Sequence, residues 1–277
     1  MIDQILQCMA MAQSEPEIQR IQTRHRIRLA EIWGIEEGDR ILEIGCGQGD
    51  TTAVLAYLVG ESGFVHGIDL ADPDYGSPVS VGESAKFLMK SSLGSRIQMD
   101  FNFDFLQEEA PLEAEGYDLV VLSHASWYLK SQDQLLEILK KARRIADRIC
   151  FAEADLRIDR LDQVPHMLAV LIQAQVEVFK TNSRSNIRTL VGHEDTIQLL
   201  ERAGWHIVEE DRIEEPDLQD GEWEIQYTLH EVMQEVTCME GLPEKWGDLM
   251  RSMGELLGNF EGKEMAAPLG SFIIIGE

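Results

Sequence analysis

The chain has 277 residues, and 50 Asp and Glu against 24 Lys and Arg leave a formal net charge of −26. That length suits one large domain or two small ones, and a composition 44% apolar and 27% charged is globular. The acidity repels phosphate backbones and anionic lipid surfaces, which argues against nucleic acid and membrane as partners.

No apolar run approaches the roughly 20 residues of a spanning helix. The N-terminal Met-Ile-Asp-Gln-Ile-Leu has an acid and no basic region, unlike a signal peptide, so the expected compartment is the cytoplasm. Cys8, Cys46, Cys150 and Cys238 lie too far apart for a zinc site or a disulfide framework. They read as free thiols, and no metal site is expected.

Residues 1–34 hold the N-terminal helices, with apolar residues at helical spacing between Glu17 and Trp33. After a turn, Arg40–Ile44 is a short apolar strand, Gly45–Gly49 a glycine loop, and a helix from Asp50 or Thr51 stops at Gly60. Phe64–Asp69 is a second strand, so the opening is a βαβ unit and predicts parallel strands. Ser84–Leu93 reads as helix, and 96–105 holds a third strand in which Phe101, Phe103 and Phe105 alternate with polar residues. Tyr117–Ser123 is a fourth strand and Ile149–Leu156 a fifth. The helix between them, Gln132–Arg148, collects Lys140, Lys141, Arg143, Arg144 and Arg148 near its C-terminal end, where the macrodipole favours cations.

After residue 156 the strand–helix rhythm breaks. Gln163–Lys180 is an amphipathic helix, Glu194–Ala203 another closed by Gly204, and Trp205–Ile213 a strand. Helical stretches about 222–239 and 244–257 precede a last strand, Ser271–Ile275. Residues 194–224 hold 12 acids and 2 arginines, most simply a solvated surface. The organisation is one domain, 1–277. Its core is 35–156, completed by 194–213 and 269–277, with helical cap insertions at 157–192 and 214–268.

The glycine loop carries the chemistry, because glycines between strand and helix let a ligand approach the backbone. The dinucleotide fingerprint G-x-G-x-x-G fails here, since Asp50 stands where its third glycine belongs. What stands instead is Glu43-Ile-Gly45-Cys-Gly47-Gln-Gly49, with Asp69 ending the second strand. This combination resembles the class I S-adenosylmethionine-dependent methyltransferases. Leu42–Gly49 is similar to that family's first motif, Gly67-Ile-Asp69 to its second, and Tyr117–Leu122 to its fourth strand.

The resemblance implies an α/β, doubly wound, mostly parallel seven-stranded sheet with an antiparallel last strand. It also implies S-adenosylmethionine as cofactor and S-adenosylhomocysteine as product. The implied cofactor residues are Glu43, Gly45, Cys46, Gly47, Gly49, Asp69, Leu70, Asp104, Phe105 and Ser123. Asp69 would take both ribose hydroxyls by charge-assisted hydrogen bonds; its plainer reading is a turn residue at a strand end. Glu43 would hold the loop or the cofactor's ammonium, or serve as a buried structural partner. Asp104, or Asp100 if the strand ends earlier, would meet the adenine amino group. The loop Asp72–Pro78 forms a wall of the site or simply turns the chain.

Ser123-His124-Ala-Ser-Trp127-Tyr128 follows the fourth strand, at the edge where such sheets bind ligands. His124 is a candidate general base or a residue bonding a neighbouring loop. Trp127 and Tyr128 are candidates for bordering a sulfonium, with Tyr128 also a candidate catalytic group. Arg24 and Arg28 share a helix face and face either an anionic group or the surface acids. Arg184, Arg188, His166 and His193 carry the same two readings, His166 being the acceptor-site candidate. These features predict a methyltransferase acting by in-line transfer on a small-molecule acceptor beneath a helical cover, with a homodimer compatible. The rival readings are a cyclopropane-fatty-acid-synthase-like lipid methyltransferase, a nicotinamide dehydrogenase and a non-enzymatic cofactor-binding protein.

Overall fold

The structure is a computed structural model that describes residues 1–107, 112, 116–183, 185–262 and 266–277. Two helices, α1 (Ile2–Leu6) and α2 (Pro16–Ile32), lead into β1 (Arg40–Ile44). The loop after β1 passes directly into α3 (Asp50–Leu58) and then β2 (Phe64–Ile68). Next come α4 (Val81–Met89), β3 (Ile97–Asp100), β4 (Leu119–Ser123), α5 (Gln132–Ala142) and β5 (Arg148–Ala154). The C-terminal half adds α6 (Val164–Glu177), α7 (His193–Ala203), β6 (Ile207–Ile213) and α8 (Asp220–Tyr227). One wide turn then leads to α9 (Met233–Cys238), α10 (Glu244–Gly258) and β7 (Ser271–Gly276).

The seven strands form one sheet in the order β3-β2-β1-β4-β5-β7-β6. Six run parallel, and β7 inserts antiparallel between β5 and β6. The chain crosses from the β3 side to the β4 side around β1. The switch point therefore lies between the carboxyl ends of β1 and β4, where such sheets open a crevice.

The strands are apolar because both faces of the sheet are covered. One face packs Ile41, Val65, Leu119, Val121 and Cys150 against α1–α3. The other packs Leu42, Val120, Leu122, Phe151 and Phe272 against α5 and α7. A third apolar cluster joins α6, α8 and α10 through Ala169, Ile172, Ile225, Met250 and Leu257. Local signals place the helix starts. Ser80 accepts the Glu83 N–H at 3.2 Å while Glu83 accepts the Ser80 N–H at 3.1 Å, a reciprocal cap. Ser131 likewise caps α5.

Several sequence expectations are corrected. The third strand stops at Asp100, because Asn102 turns the chain with φ +53°; Phe101, Phe103 and Phe105 therefore do not alternate along a strand. The helix predicted over 132–148 ends at Ala142. Its basic cluster also ties loops: Lys141 Nζ donates to the Gln107 carbonyl at 2.7 Å, and Arg143 lies over the Trp205 ring. The acidic stretch 194–224 is not simply a solvated face, since Glu215 is buried and Asp220 and Glu224 line a cavity.

Candidate functional site

A cavity of about 990 Å³ lies at the carboxyl ends of the strands, over the switch point. Its floor is the loop after β1. Gly45, Gly47 and Gly49 all adopt positive φ (81°, 51° and 85°), where side chains are strained. A Cβ on Gly45 would sit 2.5 Å from the Ala125 Cβ, because the β1 and β4 loops close tightly on each other. Gly47 has open space where its Cβ would stand, which leaves its backbone bare to the cavity. Gly49 does not line the cavity; it caps α3.

Asp69 closes β2 beside this loop. Its Oδ2 accepts the Gly47 N–H at 2.8 Å and its Oδ1 accepts the Ala71 N–H at 2.8 Å. Each oxygen keeps a lone pair for a further donor. Glu43, 2% exposed, accepts the Thr52 hydroxyl at 2.5 Å. Burial pushes its carboxyl up to about 8, against the opposing pull of the Thr52 bond and Arg26. Burial, reinforced by Glu43 and Asp69, raises the Cys46 thiol well above its ordinary range, so Cys46 lines the cavity as a neutral thiol.

The two candidate acids beyond β3 are separated by the structure. Asp100 accepts from Gln98 at 2.7 Å and lies 2.8 Å from His66 Nε2, outside the cavity. Asp104 lines the cavity, and its Oδ1 accepts the Leu106 N–H at 3.0 Å. Phe105, buried, and Leu70, 56% exposed, line it too. Tyr75, Gly76 and Ser77 make the loop after Asp72 a cavity wall.

Ser123 at the end of β4 and His124, Trp127 and Tyr128 beyond it all line the cavity. The Ser123 hydroxyl is buried without a partner among the described residues. Trp127 is fixed by donating Nε1–H to the Val191 carbonyl at 3.0 Å, whereas Tyr128 stands half-exposed. His124 directs Nδ1 at Glu153, 3.4 Å away.

The far side is built from α2 and the C-terminal helices. Gln19, Gln22, His25 and Arg26 of α2 reach the cavity. Arg24 does not: it grips Glu215 with two bonds of 2.9 and 2.7 Å and Asp217 with one of 2.9 Å. Arg28 lies 3.8 Å from the same Glu215. Both arginines thus meet acids, one of which, Glu215, is buried rather than on the surface. His166 lines the cavity and accepts the Leu269 N–H on Nδ1 at 2.9 Å; burial lowers it to about 4. Arg188 lines the cavity as well, while His193 pairs with Glu210 at 2.9 Å and does not. Arg184 lies outside the described residues.

Helix α8 presents Asp220, Trp223, Glu224 and Tyr227 to the cavity, spaced as one helix face. Together with His25, Glu153 and Ser271, these lining residues were missed from sequence. Only the helical spacing of α8 carried a signal for them. Among the described residues no cluster of acidic, His or Cys side chains could hold a metal ion, and no helix is long and apolar enough to cross a membrane.

A bare glycine loop, a strand-end carboxylate with lone pairs to spare and the cavity beyond them form one crevice at the switch point of the sheet. A family model described as a methyltransferase domain matches residues 35–204. A cyclopropane-fatty-acyl-phospholipid synthase-like protein from Lactobacillus casei is 34% identical. It has a TM-score of 0.89, with 99% of this chain and 98% of that chain covered. The chain belongs to the class I S-adenosylmethionine-dependent methyltransferase family. Methyltransferase phomM' of Diaporthe leptostromiformis is 26% identical over 74% of this chain, which spans 63% of that relative's length. A methyltransferase from Geobacter sulfurreducens in complex with S-adenosyl-L-homocysteine shares the fold. It is 13% identical, with a TM-score of 0.51 over 92% of this chain and 90% of that one.

The residues fit that cofactor. Asp69 would hold the ribose hydroxyls, and the backbone of Gly47, open where a Cβ would stand, would lie along the methionyl portion.

Proposed function

We propose that this chain methylates a small-molecule acceptor held between the strand edge and the α6–α8 cover. When bound, S-adenosylmethionine supplies an activated sulfonium methyl for in-line displacement. The protein's contribution is to bind, align and exclude water. Asp69 orients the ribose, Asp104 and Phe105 receive the adenine, and Glu43 stands near the ammonium. His124, braced by Glu153, is the base of the site.

The carrying observation is that the cavity continues past Asp69 and the glycine loop into a walled chamber. The walls are Asp220, Trp223, Glu224, Tyr227, His166 and Arg188. Aromatic surface with a few polar groups suits a compact organic molecule. The description of the 34%-identical relative favours a second reading, an unsaturated phospholipid acceptor; the carboxylates, Arg188 and His166 inside the chamber oppose a hydrocarbon chain there.

Isothermal titration with S-adenosylmethionine, S-adenosylhomocysteine and NAD tests the cofactor, and only the first two should bind. A panel of hydroxyl, amine and thiol compounds, with vesicles of unsaturated phospholipid beside it, is then assayed for S-adenosylhomocysteine release. Release with a small molecule supports the proposal. Release with vesicles alone replaces it by the lipid reading, and cofactor binding without any release favours a non-enzymatic binding protein.

A further inference from the structure

Four side chains at the carboxyl edge of the sheet stand in a line. His25 Nε2 lies 3.2 Å from Ser271 Oγ, and the same oxygen lies 3.3 Å from His124 Nε2. His124 Nδ1 lies 3.4 Å from Glu153 Oε1. Glu153 is itself fixed, accepting the Ser126 N–H at 3.1 Å, the Ser126 hydroxyl at 2.7 Å and the Ala154 N–H at 3.0 Å.

The direction of the two hydrogen bonds through Ser271 is set from the His25 end. His25 is 4% exposed, and its Nδ1 has no partner among the described residues. An unpaired buried N–H is rarer and costlier than an unpaired acceptor, so the proton of His25 sits on Nε2 and points at Ser271. Burial, helped by His124, Arg26 and Arg28, lowers His25 to about 2 and keeps it neutral. Ser271 accepts that N–H and passes its single hydrogen to His124 Nε2. The proton of His124 is then on Nδ1, facing Glu153, a carboxylate that only accepts.

His124 Nε2 is therefore engaged by Ser271 while Nδ1 faces Glu153 at 3.4 Å, and its backbone is held at φ +50°, a strained conformation of the kind that gathers at functional sites. The second lone pair of Ser271 Oγ has no donor among the described residues, and Ser271 lines the cavity. We propose that Ser271 is the proton intake of the acceptor site, with His25 positioning its hydroxyl and His124 beside Glu153 as the sink.

The proposal rests on the methyl-transfer reading and adds a substrate class: the acceptor is a protic nucleophile, an X–H group with X oxygen, nitrogen or sulfur. The acceptor heteroatom bonds the methyl carbon with a lone pair, and the carbon–sulfur pair returns to sulfur. Its proton passes to Ser271 Oγ as the serine's own hydrogen passes to His124 Nε2. The positive charge ends on His124 beside Glu153, and His25, whose cation burial opposes, is never charged. His124, whose side chain is 37% exposed, then returns the proton to solvent.

The test is long-range ¹H–¹⁵N NMR of histidine-labelled protein bound to S-adenosylhomocysteine. His25 should carry its proton on Nε2 and His124 on Nδ1. Ser271→Ala should move the His124 Nε2 resonance toward that of an unbonded nitrogen, Ser271→Thr should restore it, and S-adenosylhomocysteine affinity should stay within about twofold. Turnover of any methylated panel compound should fall about 100-fold in Ser271→Ala. The relay is overturned by a proton on His25 Nδ1 or His124 Nε2, by an unmoved His124 resonance, or by turnover kept within about tenfold. The wild-type tautomers decide the matter even if Ser271→Ala does not fold. Failure of S-adenosylhomocysteine to bind wild-type protein would instead sink the methyl-transfer reading, whatever the tautomers.

Discussion

Asp69 accepts one backbone N–H on each oxygen and so faces the cavity in one orientation. Asp69→Ala should weaken S-adenosylhomocysteine binding by about 2–3 kcal/mol, the scale of lost charged hydrogen bonds; titration reads it, and an unchanged affinity removes Asp69 from the site. Glu43 works in the opposite sense for stability. Its carboxyl is pushed up to about 8 from an ordinary 4.5, so the folded chain binds more protons than the unfolded one between those values. Its contribution to stability therefore declines as pH rises from about 4.5 to about 8. Glu43→Gln should remove that decline and raise the melting temperature most at pH 8, as thermal unfolding across pH would show. A melting temperature lowered at every pH would mean that the carboxylate is a structural partner instead.

At the scale of elements, the β1 and β4 loops meet at Gly45 and Ala125 with no room for one more carbon. Gly45→Ala should abolish cofactor binding while leaving the circular dichroism spectrum native, because the change is confined to the loop. Helix α8 turns two carboxylates and two aromatic rings inward from one face. Trp223→Ala should raise the acceptor KM about tenfold, some 1.4 kcal/mol, and leave cofactor affinity unchanged. Equal loss of both would place α8 against the cofactor rather than the acceptor.

Over the whole molecule, α2 meets the start of α3 on one side and is tied to residues 214–217 on the other. Gln19 donates to Asp50 at 3.0 Å, and Arg24 holds the buried Glu215. Arg24→Met leaves Glu215 only the weaker approach of Arg28 at 3.8 Å. Stability to urea should fall by about 1–2 kcal/mol, because Glu215 is buried but Arg24 is 44% exposed and solvent screens the pair. A loss below about 0.5 kcal/mol would make the pair an ordinary surface bridge.

Much of the sheet was legible in the residues. Apolar runs at 40–44, 64–68 and 119–123 are strands because they are covered on both faces, and a covered strand has no reason to alternate. The glycine loop and Asp69 were legible for a local reason too: positive φ, close approach and a strand-end carboxylate are written in neighbouring residues. The end of β3 was not, because one left-handed residue, Asn102, cut an alternating pattern short. The Arg24 pairing and the line from His25 through Ser271 and His124 to Glu153 were not legible either. Their partners lie up to 246 residues apart, on α2, β7, the β4 loop and β5. Sequence alone determined the sheet, the cofactor loop and the family motifs, which depend on short-range chemistry. Only the tertiary structure decided which histidines meet, which acids turn inward and what walls the cavity, because those choices depend on how distant elements pack.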